Sequence, residues 1–155
     1  MYDAILVSPH DHYDRDGQPL PAQDAPDCQN LSMIIPLGIL HLAQYLHDCG
    51  FKVRVVHMQQ EFYAKERLGV AVNLLQNPVD LILKNDPARI CAIQSHFYLY
   101  CGGAERVAKI YRNLFPDSTV VVGGYMATAC WKSYLEAAPG IDGVSPHGKA
   151  KNGLV

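Results

Sequence analysis

No C-x-x-C pair occurs anywhere in these 155 residues, and the five cysteines (Cys28, Cys49, Cys91, Cys101, Cys130) are odd in number and unevenly spaced. That pattern excludes a small secreted domain held by paired disulfides, and it lacks the ligand spacing of a structural zinc site. Charge is scarce as well: charged residues make up 18% of the chain and the formal net charge is -2. Lysines and arginines are scattered, so there is no electrostatic reason to expect nucleic acid or an anionic membrane as partner. No apolar run approaches the roughly 20 residues that span a bilayer. Met1-Tyr2-Asp3 opens the chain without the basic and then apolar stretch of a signal peptide. The expectation is a reduced, cytoplasmic domain.

Several ligand motifs are also missing. G-x-G-x-x-G after the first strand, the mark of a dinucleotide site, is absent, and so is the P-loop pattern G-x-x-x-x-G-K-[ST]. There is no G-x-S-x-G, so hydrolase chemistry has no visible nucleophile. Response-regulator chemistry needs an aspartate at the end of the third strand, where this chain has Gln94-Ser95.

What is present is an alternation of short β-branched runs with helical patterns. Hydrophobic residues, 49% of the chain, suffice for one core. Ala4 to Ser8 reads as a strand buried on both faces. A long polar segment without period follows, from Pro9 to about Ser32; a loop of that length is usually functional or disordered. Pro36 suits the first turn of a helix whose apolar face is Ile39, Leu42, Ala43 and Leu46, with Gly50 as its C-terminal cap. Lys52–His57 is the second strand, and about Tyr63–Gln76 the second helix. Asn77-Pro78 opens a short turn through Leu83.

Ile90–Ser95 reads as the third strand. A third helix carries Ala104, Val107, Ala108 and Tyr111 and ends before Phe115-Pro116-Asp117. Thr119–Gly124 is the clearest strand. Trp131, Tyr134, Leu135 and Ala138 mark a fourth helix, and Ile141–Val144 a short fifth strand. The predicted fold is a flavodoxin-like (Rossmann-like) doubly wound α/β domain with five parallel strands in the order 2-1-3-4-5. It should occupy residues 1–144, with an irregular tail over 145–155.

Ligands of such sheets sit beyond the carboxyl ends of the strands. Gly123-Gly124 at a strand exit can either bring a bulky group against the backbone or make a tight turn. Ser95 can donate to a ligand or cap locally. His10 and His12, just after the first strand, are candidate axial ligands or solvated loop residues. His96 faces the crevice.

In that order, Ile5–Pro9, Ile35–Leu46, Gly50–Val56, Ala104–Asp117, Val120–Thr128 and Pro139–Asp142 resemble the amino-terminal cobalamin-binding domain of B12-dependent radical S-adenosylmethionine enzymes. The resemblance implies a corrinoid as cofactor and a radical S-adenosylmethionine domain or protein as partner. It implies that Ser95 with Phe97 is a variant of an S-x-L motif beside the nucleotide tail, with His96 and Tyr98 also at the cofactor, and that the tail passes over Gly123-Gly124. Ser8, Pro9, Pro36, Leu37 and Gly38 would contact the corrin or tail, and Tyr125, Met126, Thr128 and Val144 would complete the site.

Two departures qualify it. D-x-H-x-x-G, whose histidine ligates cobalt from below, is absent, so no histidine is expected there unless His10 or His12 serves. The family's Gly-Glu-x-Glu segment and C-x-x-x-C-x-x-C cluster motif are also absent, so no iron–sulfur cluster and no radical activity are expected from this chain alone. Competing readings are a flavodoxin-like FMN-binding redox protein, which would want a phosphate-cradling loop after the first strand, and a ligand-free docking or regulatory domain.

Overall fold

The computed structural model describes residues 1–9, 36–58, 60–61, 78–96 and 100–146. Within them lie five strands, β1 (Tyr2–Ser8), β2 (Val53–His57), β3 (Ala88–Gln94), β4 (Thr119–Gly124) and β5 (Gly143–Pro146). Between them run α1 (Leu37–Asp48), α2 (Pro78–Leu83), α3 (Tyr100–Leu114), α4 (Tyr125–Ala129) and α5 (Trp131–Ala137). The strands form one all-parallel sheet in the order β2-β1-β3-β4-β5, a flavodoxin-like doubly wound α/β fold. The second predicted helix, near Tyr63–Gln76, falls outside the described residues, as do His10, His12, Phe97, Tyr98 and the tail from residue 147.

Side chains alternate across a sheet, so register fixes which residues share a face. Ile5, Val7, Val56, Cys91, Ile93, Val120 and Val122 point to one side and form the main core. Against them pack Val79, Ile82 and Leu83 of α2, Ala104, Val107, Ala108 and Tyr111 of α3, Ala127 of α4, and Tyr134 of α5. Ala4, Leu6 and Ser8 are buried on the other side, where α1 contacts β1 and β2.

That second side is thinly covered. Among the described residues α1 alone lies on it, and Ile90 of β3 is 44% exposed, while Ala92, Val121 and Gly123 are half-buried. The predicted face of α1 is correspondingly only partly realised. Ile39 is buried, Ala43 and Leu46 are half-buried, and Leu42 remains 41% exposed. Among the described residues α1 packs only against β1 and β2, and a helix so flanked cannot bury a stripe as wide as its sequence offers.

The end of α1 is set by Gly50 at φ 88°, one residue beyond the Cys49 cap. Gly50 N–H donates to His47 O at 2.8 Å and Phe51 N–H to Leu46 O at 3.0 Å, the paired bonds of a Schellman ending. Where β4 and β5 begin, Asp142 accepts from Val120 N–H at 2.7 Å and from the Arg112 guanidinium. Arg112 also donates to the carbonyls of Pro116 (2.8 Å) and Ser118 (2.7 Å), joining the end of α3 to β4 and β5. Tyr111 O–H donates to Asp86 O and accepts from Ala88 N–H, each at 3.0 Å, which fixes the start of β3 from beneath.

Several elements differ from expectation: β1 and β3 begin two residues earlier, at Tyr2 and Ala88, and β3 ends at Gln94. The single fourth helix is two, broken at Cys130, and its buried residues are Ala127, Tyr134 and Ala138; Trp131 and Leu135 are 49% and 46% exposed. β5 begins at Gly143, and it continues through Ser145 and Pro146, which pair with Gly123 and Gly124.

Candidate functional site

All five strands end at the same edge, and the loops leaving it carry the sequence candidates. At the exit of β1, Ser8 and Pro9 are both buried, and Ser8 is in register with His57. Pro36, buried, leads into α1, where Leu37 is 61% exposed and Gly38 has open space where a side chain would be. The amino end of α1 thus presents an apolar residue and a bare backbone at the ligand edge.

Beyond β3 and β4 the geometry is tighter. Ser95 is fully buried, and its hydroxyl lies 2.7 Å from the hydroxyl of Tyr134 on α5. Its N–H donates to Gly123 O at 2.7 Å, and its carbonyl accepts from Met126 N–H (3.1 Å) and Ala127 N–H (3.4 Å). The start of α4 is therefore anchored on the Ser95 backbone. Thr128 Oγ1 donates back to Gly124 O at 3.1 Å. His96, Met126 and Thr128 are half-buried, Tyr125 is 61% exposed, and Val144 packs against the core.

The two glycines do different work. Gly124 adopts φ 115° and ψ -179°, and a Cβ there would meet Ser95 O at 2.6 Å and Ser95 C at 2.9 Å. What lies against Gly124 is the protein's own backbone. Gly123 faces the α1 side of the sheet, and a Cβ built on it would meet nothing nearer than Ser145 Cβ at 3.7 Å. Of the pair, Gly123 is the one with room for a Cβ, in ordinary contact with Ser145.

Register sets that glycine in a row. Gly123 pairs with Gln94 on one side and Ser145 on the other, and Ser8 follows Val7, whose partner is Ile93. One step deeper on the same face lie Leu6, Ala92, Val121 and Gly143. Ala92, Gly123, Gly143 and Ser145 have short side chains or none, so the sheet surface over β3, β4 and β5, beside α1, is a shallow trough in side-chain height. Gln94, Ser145 and Tyr134 were not singled out by the sequence as site residues. For Gln94 a signal existed, a polar residue at the end of an otherwise apolar strand.

Among the described residues no cluster of three or more His, Cys, Asp or Glu side chains could hold a metal ion, and no helix is long and apolar enough to cross a membrane. Burial pushes the Cys91 thiol well above its ordinary range, so that residue is an inert part of the core.

Neither the curated proteins nor the solved structures contain a match to this chain. The model of one family does match it, that of the B12 binding domain, over residues 31–150. β1 lies ahead of that stretch and completes the sheet between β2 and β3. With most of its length matched and the sheet in the expected order, the chain belongs to the B12-binding domain family.

Proposed function

We propose that this chain binds cobalamin with the nucleotide tail in the trough between α1 and β3–β5, and that it positions the corrinoid for methyl transfer or radical chemistry performed with a radical S-adenosylmethionine domain. The observation that carries this reading is Gly123, a glycine at a strand exit with room for a Cβ, on a sheet face of short side chains within a B12-binding domain. A long flat arm needs such a surface, because any side chain there would occupy the space it takes. Ser8, Ala92, Gln94, Gly123 and Ser145 would line the tail, while Leu37, Gly38 and Tyr125 would meet the corrin at the edge. A bound corrinoid supplies the methyl-carrying and one-electron chemistry of cobalt, and the protein supplies binding and orientation.

The test is retention of hydroxocobalamin through gel filtration, read from the visible spectrum of the protein fraction. Wild type should retain corrinoid with a base-off spectrum, and His10→Ala and His12→Ala should leave that spectrum unchanged. Gly123→Ala, whose Cβ would meet Ser145 Cβ at an ordinary 3.7 Å, should keep its thermal midpoint and bind more weakly, and Gly123→Leu should lose the ligand. Equal retention by Gly123→Leu would place the tail elsewhere.

A further inference from the structure

Gln94 sits in the row that lines the trough, between Ser8 and Gly123, yet its side-chain oxygen Oε1 is buried with no hydrogen-bond partner among the described residues. Glutamine has an acceptor with two lone pairs, and a buried acceptor left unpaired destabilises the state that contains it. Native structures rarely tolerate this unless the group serves a ligand, a water or an ion. Its strand neighbours make the contrast clear: Ile90, Cys91, Ala92 and Ile93 carry no side-chain polarity that needs satisfying, apart from the weak thiol of Cys91.

The position is also specific. Gln94 is the last residue of β3, on the sheet face that α1 flanks, and in register with Gly123. The hydroxyl of the next residue, Ser95, is engaged with Tyr134. At the exit of β3 the acceptor that lacks a partner therefore belongs to Gln94, not to the serine that the sequence motif highlights.

We infer that Gln94 is a ligand-binding residue that accepts a hydrogen bond from an N–H or O–H donor of the bound molecule and so sets its specificity. This rests on the cobalamin reading and deepens it. In a cobalamin the donors of that class are the amides around the corrin and the amide and ribose hydroxyls of the tail. Oε1 is closed to solvent in the free chain, so binding in the trough would bring a donor to it by displacing what covers it. An aliphatic side chain of similar length has no such need, so replacing glutamine with methionine exchanges ligand affinity for stability of the free chain.

The experiment compares wild type, Gln94→Met and Gln94→Glu as full chains. Gln94→Met should raise the thermal midpoint of the free protein, because the unpaired acceptor is gone, and weaken hydroxocobalamin binding by about tenfold. Gln94→Glu keeps an acceptor and should bind more tightly than Gln94→Met. Cobinamide, which has the corrin amides but no nucleotide, separates the two donor sources. A loss seen with hydroxocobalamin but not with cobinamide assigns the bond to the tail, and an equal loss with both assigns it to a corrin amide. If wild type binds hydroxocobalamin and Gln94→Met binds it equally well, the role of Gln94 is overturned and the cobalamin reading survives. If wild type binds neither corrinoid, the cobalamin reading fails and this inference with it. A free Gln94→Met chain no more stable than wild type would also overturn it, since the oxygen would then have been satisfied all along.

Discussion

Replacing Gly124 with alanine should cost more stability than any other single-methyl addition at the ligand edge. Two separate effects combine. The backbone at φ 115° and ψ -179° lies in a region that is almost closed to residues with a Cβ, a strain of about 1–3 kcal/mol. The added carbon would also stand 2.6 Å from Ser95 O and 3.3 Å from His96 N. Ser95 cannot easily retreat, because its carbonyl holds Met126 N–H and Ala127 N–H and its own N–H is bonded to Gly123 O. Overpacking of that kind costs about 1–3 kcal/mol more. The total, roughly 2–6 kcal/mol, is a large share of the ~5–15 kcal/mol that stabilises an ordinary domain. Urea unfolding followed by far-ultraviolet circular dichroism measures it. Gly123→Ala is the control: its backbone has no positive φ and its nearest neighbour is at 3.7 Å, so it should stay within about 1 kcal/mol of wild type. If Gly124→Ala also stays within about 1 kcal/mol of wild type, the Ser95 carbonyl is not fixed and the account of this turn is wrong.

Tyr134→Phe removes one half of the buried hydroxyl pair with Ser95 and should cost about 1–3 kcal/mol in the same unfolding assay; an unchanged midpoint would mean that Ser95 has another good partner. The Cys91 thiol, raised by burial above its ordinary value of 9.0, favours folding in its protonated form. Its contribution is therefore complete below pH 9.0 and should decline above it, by about 1.4 kcal/mol per pH unit. Tyr111, raised chiefly by burial above 10.0, adds in the same sense at higher pH. Cys91→Ala should flatten the first part of that decline, and a profile identical to wild type would remove Cys91 as its cause. In a thiol titration with dithionitrobenzoate at neutral pH, exposed Cys49 should react in the native state, whereas Cys91 should react only after unfolding; prompt labelling of Cys91 would contradict the packed sheet centre.

The fold was legible because its signals are local. Thr119–Gly124 has the same ends in sequence and structure, since a run of valines closed by two glycines leaves a strand no alternative. Gly50 could be assigned as the end of α1 for a similar reason. What failed depended on distant partners. β5 starts at Gly143 and not at Ile141, because Ile141 N–H donates to Ala138 O and the Asp142 carboxylate takes the Val120 N–H. The fourth helix breaks at Cys130 without glycine or proline to announce it. At the site, the sequence treated Gly123 and Gly124 as one feature, yet alternation turns them to opposite faces, one with room for a Cβ and one closed by Ser95. The engagement of Ser95 with a tyrosine 39 residues away could not be read from either residue alone. Gln94 was visible as a polar strand end but gained meaning only from a buried oxygen.

The order β2-β1-β3-β4-β5 also sets a timetable for a newborn chain. β1 emerges first and becomes the middle of the sheet, pairing on one side with β2 and on the other with β3. Ala88 follows Ser8 by 80 residues. At the usual pace of translation, ~5–20 residues per second, β1 waits roughly 4–16 s for its second neighbour. During that interval Ala4 to Val7, all buried in the folded protein, has an unpaired edge. A chaperone or a slowed ribosome would matter most to this chain before β3 is made, and much less once β4 and β5 are being added to an existing sheet.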